Sequence, residues 1–203
     1  MLLMIVNTVV FAADTTSTNA LEKLLAPIRS ITANFKQVTY GSRGKVMQTS
    51  MGKMAVARPD NFRWYTITPN KQLVVTNGKL LWVYDVDLEQ ASVRSLKKAQ
   101  NNTPAMLLSG KIEDIEKYYQ IKQTKQQGTQ QSFVLTPKQK QGLFKQLQLN
   151  FNHQQIISMQ FKDNLGQLVN ITFSHVKTNP TIKASQFSFK PPPGVDVIGR
   201  KSP

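Results

Sequence analysis

The feature that most constrains this chain is a long stretch in which apolar and polar residues alternate with the period of β-strands. It runs from Ala33 to about Leu96 and is interrupted by residues that favour turns, namely Gly44, Gly52, Pro59, Pro69 and the pair Asn77-Gly78. The last break is the most informative, because Asn-Gly readily adopts the positive φ angles of a type I′ turn. The stretch therefore predicts consecutive antiparallel strands.

Further short strands are predicted in the C-terminal half. Gly, Asn or Pro separates most of them, and they cover residues 132–135, 143–151, 156–163, 169–175 and 187–189. The Gln-rich segment 123–131 is predicted to be a loop.

Helical patterns occur in three places. Near the N-terminus, Asn19 and Glu22 have the spacing of a helix start, and an apolar face follows at Leu21, Leu24, Leu25, Ile28 and Ile31. Pro27 is expected to kink or split this helix, because proline has no backbone N–H. Segment 103–110 has the pattern of a short, very apolar helix with Thr103 as N-cap and Gly110 as its stop, and a weaker helix is predicted at 112–118.

Together these elements predict a protein that is mainly β with some α. One strongly curved antiparallel sheet, an unclosed half-barrel with apolar helices forming a lid over its open side, satisfies the order of elements and encloses an apolar cavity. At 203 residues no length argument demands two domains, so we expect residues 14–203 to form a single domain.

Residues 1–13 carry no charged side chain and are mostly apolar, but they are too few to span a bilayer. They are predicted to be a secretory signal peptide with cleavage near Ala12 and Ala13, although the usual basic start is missing. The alternative is a buried N-terminal strand. The chain has no cysteine, so neither a disulfide nor a lipid-anchored N-terminal cysteine is expected, and we predict no stable membrane insertion.

The net charge of +15 comes from 26 basic and 11 acidic residues. Such a charge favours anionic surfaces or acidic partners. Because the basic residues are dispersed and a secreted protein seldom meets nucleic acid, we expect no nucleic-acid binding.

Residue patterns for catalysis or metal binding are missing from the sequence. His153 and His175 stand apart from each other and are interpreted as structural or exposed, while Asp85 and Asp87 fit a turn better than a calcium loop. No nucleophile elbow, phosphate loop or zinc motif occurs. We therefore expect no enzyme activity, no cofactor and no metal.

Several motifs resemble a known family. They are Arg58-Pro59 followed by Phe62 and Trp64; the segment 77–85 with Trp82 and Tyr84; Asn102-Thr103-Pro104 with Leu107-Leu108; Phe35-Lys36-Gln37; and the ending 187–196. In their order and approximate spacing along the chain, these motifs resemble those of the outer-membrane lipoprotein carrier family, LolA, over nearly the whole mature chain.

The resemblance implies an unclosed β-barrel whose helices cover an apolar cavity for acyl chains. By position, Arg58 matches the arginine that closes the lid, and part of the lid is matched by Thr103, Pro104, Ala105, Met106, Leu107 and Leu108. Five guanidinium donors suit the carbonyls at a helix end. An ordinary arginine at a strand edge is the alternative.

Aromatic residues are candidates for the cavity lining, and these are Phe35, Phe62, Trp64, Trp82 and Tyr84. Phe62 and Trp64 share one face of a strand, as do Trp82 and Tyr84, so either pair could face the cavity or simply form core.

The implied partners are lipoprotein acyl chains, an LolCDE-like ABC exporter in the inner membrane and an LolB-like receptor lipoprotein in the outer membrane. The expected location is the periplasm and the expected state a monomer. Because the receptor is anchored through a cysteine that this chain lacks, a carrier is favoured. Two alternatives stay open, a lipid-sensing regulatory half-barrel and a secreted lipid hydrolase.

Overall fold

A computed structural model describes residues 15–96, 104–110, 112–139 and 144–199. Most of these residues lie in strands, which confirms the prediction of a mainly β protein with few helices. The helices are α1 (Thr15–Leu25), a 3-10 helix at Pro104–Leu108, α2 (Ile112–Tyr118) and a second 3-10 helix at Ala184–Phe187. The predicted signal peptide and Thr103 lie outside the described residues.

The strands are β1 (Ser30–Tyr40), β2 (Val46–Ala57), β3 (Asn61–Thr68), β4 (Gln72–Asn77), β5 (Leu80–Asp85), β6 (Gln90–Ser95), β7 (Tyr119–Gln127), β8 (Gln130–Pro137), β9 (Phe144–Asn152), β10 (Gln155–Asp163), β11 (Leu168–Thr178) and β12 (Asp196–Ile198). They form one sheet in the order β12-β6-β5-β4-β3-β2-β1-β11-β10-β9-β8-β7. Neighbours run antiparallel, except that β12 is parallel to β6. Strands β7 and β12 are the two edges of this order, so the sheet is unclosed, as predicted.

The first helix has the predicted apolar face. Leu21, Leu24 and Leu25 are buried, as are Ile28 and Ile31 just after the helix. The predicted start is wrong, however, because the helix already includes Thr15 and Asn19 therefore lies inside it. The helix ends at Leu25, two residues before Pro27, which ends the helix rather than kinking it.

Three other local predictions are wrong. Gly52 lies within β2 instead of breaking it, and residues 123–131 form a hairpin of β7 and β8 instead of a loop. Their polar side chains hid the strand pattern, since β7 is an edge strand with mostly exposed residues. Residues 187–189 are not a strand, because the 3-10 helix ends at Phe187.

The sheet has an apolar cluster on each face. The larger, inner cluster lies beneath α1, the Pro104–Leu108 helix and α2, which we call the helical layer. The smaller, outer cluster contains Leu73, Val75, Trp82, Ala91 and Val93, and Tyr65, Leu80, Tyr84, Phe189 and Val195 pack against it. In the described residues, no helix is long and apolar enough to cross a membrane.

Candidate functional site

Arg58 lies in the turn between β2 and β3 and holds the ends of two helices. Its Nε donates a hydrogen bond to the carbonyl oxygen of Leu108 at 3.0 Å, and its Nη1 donates to that of Leu25 at 2.9 Å. Both carbonyls stand at helix C-termini, where backbone oxygens lack partners within the helix and a positive charge is favourable. One side chain therefore ties α1 and the Pro104–Leu108 helix to the sheet.

Backbone contacts of the same turn reinforce this tie. The amide of Asp60 donates to the carbonyl of Ser109 at 2.8 Å, and the amide of Arg58 donates to the carbonyl of Arg29 at 2.9 Å. The hydroxyl of Ser109 donates in turn to the carbonyl of Met106 at 2.7 Å. The segment that follows the 3-10 helix is thus held by both a side chain and a backbone group of the β2–β3 turn.

The other end of α1 is attached to the far edge of the sheet. The hydroxyl of Ser17 accepts a hydrogen bond from the backbone amide of Gln123 in β7 at 2.9 Å, and Ser17 is buried. Since Arg58 binds the last turn of α1, this helix bridges β7 and the β2–β3 turn over the inner cluster.

Three of the predicted aromatic residues meet beneath the helical layer. The rings of Phe35 and Trp64 stack with their centroids 3.8 Å apart, and Phe62 lies parallel to Trp64 at 6.1 Å. The edge of Phe173 meets Trp64 at 6.5 Å. All four side chains are buried and belong to the inner cluster. They form an aromatic floor under the helices.

Gly52 makes room for this floor. It pairs with Phe35 across β1 and β2, and a Cβ at Gly52 would come within 2.6 Å of the Phe35 ring and 2.0 Å of the Tyr65 carbonyl oxygen. Any side chain here would displace the Phe35 ring from its place beside Trp64.

Trp82 and Tyr84 lie on the opposite face of the sheet from Phe62 and Trp64. Trp82 pairs with Val75, whereas Trp64 pairs with Val74, and adjacent residues of a strand point to opposite faces. Trp82 and Tyr84 therefore belong to the outer cluster, where Phe189 covers them with ring centroids 5.4 and 5.2 Å away.

The predicted lid segment supplies side chains to the inner cluster. Met106 and Leu108 are buried in it, and Leu107 packs against it. Pro104 and Ala105 form the first two positions of the 3-10 helix.

A cleft with about 170 Å³ of space between atoms lies where α1, α2 and β7 meet, lined by Leu21, Leu25, Ile115 and Ile121 together with Thr18, Glu22 and Glu116.

The electrostatics around the site are those of a structural apolar region. Burial raises the pKa of Tyr119, and burial lowers the pKa of Arg63 on the outer face, partly opposed by the nearby Tyr65. Within the described ranges, no three His, Asp or Glu side chains are grouped as metal ligands. Asp85 and Asp87 lie at the turn between β5 and β6, as predicted. The Asp85 carboxylate accepts the amide of Leu88 in that turn, and the Asp87 carboxylate accepts the amide of Lys71 between β3 and β4.

Sequence reasoning missed several residues of this region. The carbonyls of Leu25 and Leu108 and the amide of Asp60 could not be found, because backbone groups leave no mark in side-chain chemistry. Phe173 could have been found, since it alternates with Val169 and Ile171 on the buried face of its strand.

The comparison with known families decides the relationship. The model of a family described as "Outer membrane lipoprotein carrier protein LolA" matches residues 26–190. This chain belongs to the LolA family. An outer-membrane lipoprotein carrier protein of Azotobacter vinelandii is 44% identical over 186 residues, covering 92% of this chain and 89% of the relative. Another, from Hahella chejuensis, is 41% identical over 192 residues, covering 94% and 91%. The resemblance inferred from the sequence is confirmed.

Solved structures share the LolA fold at low identity. An uncharacterized conserved protein of Thermus thermophilus has a TM-score of 0.58 and 12% identity, and the match covers 93% of this chain and all of that one. A LolA superfamily protein of Nitrosomonas europaea has a TM-score of 0.50 and 14% identity, covering 85% and 98%. These likenesses support the open sheet alone.

Proposed function

We propose that this chain is a non-enzymatic periplasmic chaperone that carries lipoproteins by shielding their acyl chains between the helical layer and the inner face of the sheet. The observation that carries the proposal is the pair of hydrogen bonds from Arg58 to Leu25 and Leu108. They fasten a removable layer of helices over an apolar, aromatic floor. Membership of a family of carrier proteins supports the same function.

The need for shielding follows from the cost of exposing hydrocarbon to water. Each methylene contributes about 0.8 kcal/mol, so one ordinary acyl chain costs on the order of 10 kcal/mol to expose. A lipoprotein with several chains therefore cannot cross an aqueous space unaided.

The inner cluster can offer acyl chains apolar contacts in place of water. Its floor is made of flat aromatic rings, and Met106 adds an unbranched, adaptable side chain from the helical layer. When the helical layer moves outward, the contacts between its apolar residues and the aromatic floor are lost. Acyl chains inserted between them restore apolar contact on both sides.

Release of the acyl chains requires a free-energy contribution that opposes their binding. Opening breaks the bonds of Arg58, and closing re-forms them, so these bonds favour the empty carrier over the loaded one. Arg58 is then a release element, and the affinity for acyl chains is lower than the apolar contacts alone would give. This makes transfer to a tighter acceptor favourable.

The route of the cargo involves two further partners. We propose that an ABC exporter of the inner membrane loads the carrier and that a receptor lipoprotein of the outer membrane unloads it. Secretion through the signal at residues 1–13, one carrier domain at 14–203 and a monomeric state complete this picture.

The test is a two-step transfer assay. Proteoliposomes that contain the exporter and a triacylated lipoprotein are given ATP and the purified chain, and the soluble complex is isolated and identified by mass spectrometry. The complex is then added to vesicles with and without the receptor. We expect a soluble complex after the first step and delivery that depends on the receptor. Lipoprotein that stays in the donor vesicles would refute the carrier function.

A further inference from the structure

Two turns at one end of the sheet form a surface that the cargo site does not use. The β1–β2 hairpin and the β10–β11 turn are neighbours there, because Tyr40 pairs with Val46 on one side and with Leu168 on the other. We define the basic tip as Arg43, Lys45, Val46, Met47, Lys162 and Leu165. Arg58 follows the opposite end of β2, a strand of 12 residues, so the tip is separated from it by about 35 Å along the strand.

The tip exposes apolar side chains to an unusual degree. Leu165 is 79% exposed, Met47 is 61% exposed and Val46 is 50% exposed. Hydrogen bonds fix the backbone of the turn that carries Leu165. The Asp163 carboxylate accepts hydrogen bonds from the amides of Leu165 at 2.9 Å and Gln167 at 2.8 Å, and this fixes the turn that carries Leu165.

Hydrogen bonds also fix the hairpin. The amide of Gly41 donates to the carbonyl of Lys45 at 2.9 Å, and the amide of Gly44 donates to that of Gly41 at 2.8 Å. Gly44 has a φ of 76°, which suits glycine at this place in a tight turn. The Met47 sulfur lies beside Gly41, so the exposed thioether is held close to the turn.

Positive charge surrounds these apolar side chains. Arg43, Lys45 and Lys162 are exposed, and the Lys162 side chain extends toward Gly166 in the β10–β11 turn. Segment 30–57 contains no Asp or Glu, and Asp163 is the only acidic residue of segment 155–178. The tip thus combines a net positive charge with protruding apolar groups.

We propose that the basic tip docks the protein peripherally and reversibly on an anionic phospholipid surface. Basic side chains near such a surface are attracted to its negative potential, while exposed apolar groups enter the boundary between headgroups and acyl chains. A few side chains on two narrow turns are enough for this contact.

The orientation of the docked protein follows from the geometry. With the tip on the membrane, the β2–β3 turn and Arg58 lie at the end of β2 that is remote from the lipid. Docking therefore leaves the helical layer free to open, and it is independent of the proposed acyl-chain site.

The test is co-sedimentation of the purified chain with vesicles of two compositions. One set contains phosphatidylcholine alone, and the other contains about 30 mol% phosphatidylglycerol to mimic an anionic leaflet. We expect binding to the anionic vesicles that weakens strongly with added salt, and little binding to the neutral ones. Since each basic residue contributes about fivefold to partitioning, the variant Arg43→Gln/Lys45→Gln should bind about 25-fold more weakly.

Matched variants separate this proposal from general charge effects. Lys79→Gln/Lys177→Gln removes the same charge at the opposite end of the strands and should bind the anionic vesicles nearly as well as the parent. Met47→Ser/Leu165→Ser should weaken binding to anionic vesicles. Leu88→Ser changes an apolar residue that is 71% exposed on an acidic turn, so it should not alter binding.

Several results would overturn membrane docking. They are equal binding to neutral and anionic vesicles, equal losses in the two charge variants, or full binding by Met47→Ser/Leu165→Ser. Absence of binding to the anionic vesicles would also overturn it, and impaired delivery by the tip variants would then indicate that the tip serves an acidic protein partner. Lipoprotein acceptance by the tip variants should be normal, and this readout distinguishes a failure here from a failure of the carrier function.

Discussion

The replacement Arg58→Leu removes the two hydrogen bonds from this side chain to the helical layer and puts an apolar side chain of moderate size in its place. A hydrogen bond from a charged donor contributes about 1.5–3 kcal/mol. Both bonds are partly buried and water can reach the carbonyls once they are free, so we use the lower value and expect the closed state to lose about 3 kcal/mol.

Such a loss changes the ratio of closed to open protein by on the order of a hundredfold, since about 1.4 kcal/mol corresponds to a factor of ten. The variant should therefore accept lipoprotein normally, hold it more tightly and pass it to receptor-containing vesicles much more slowly. In hydrogen exchange, amides of segment 104–110 and the last turn of α1 should exchange faster by a similar factor.

Two variants control this experiment. Arg63→Leu removes an arginine that donates to a backbone carbonyl, that of Gln186, at 3.3 Å on the outer face. It should transfer lipoprotein at the normal rate. Arg58→Lys keeps the charge but lacks the forked guanidinium that reaches two carbonyls. Its rate of lipoprotein transfer should lie between those of the parent and of Arg58→Leu. Normal delivery and unchanged exchange in Arg58→Leu would refute the release role.

Three further predictions concern stability and local order. Gly52→Ala should lower the free energy of unfolding by about 3 kcal/mol in urea titrations, because the added Cβ overlaps the Tyr65 carbonyl and the Phe35 ring; an unchanged midpoint would contradict the packing. Phe187→Ala should lower the free energy of unfolding by about 3 kcal/mol because this side chain is buried, whereas Leu88→Ala on the surface should lower it by less than about 0.5 kcal/mol. Thermal unfolding compares the two variants, and equal effects would contradict the burial of Phe187. Ser17→Ala should remove about 1 kcal/mol of local stability and speed exchange of the Gln123 amide, and exchange at the parent rate would show that this bond does not hold α1.

The sequence predicted the sheet well where one face is buried. The inner and outer residues of β3 alternate strictly around Phe62 and Trp64, and an Asn-Gly turn joins β4 to β5. Strand β7 was missed because its side chains are mostly polar on both sides at an edge of the sheet. Its place comes from pairing with β8 rather than from burial.

The aromatic residues show the limit of reasoning from periodicity. Alternation predicts that Trp82 and Tyr84 share a face, and they do, but it does not say which face. That choice depends on the register between β4 and β5 and on the C-terminal segment, whose Phe189 covers both rings. A sheet with apolar clusters on both faces leaves this question open until the register is known.

Arg58 could be singled out only through its resemblance to a family motif. Nothing in the spacing of side chains shows that its partners are the carbonyls of Leu25 and Leu108, 33 and 50 residues away. Gly52 gives the opposite lesson. Its sequence context predicts a break in the strand, whereas in the structure it lies within β2 and admits the ring of Phe35.

The most direct test of the central claim is to locate the acyl chains on the carrier. A triacylated lipoprotein whose fatty acids carry a diazirine is loaded onto the chain and irradiated, and the labelled peptides are identified by mass spectrometry. The account predicts labels on the inner cluster, at Phe35, Phe62, Trp64 and Met106. Labels confined to the outer cluster around Trp82 and Phe189 would contradict it.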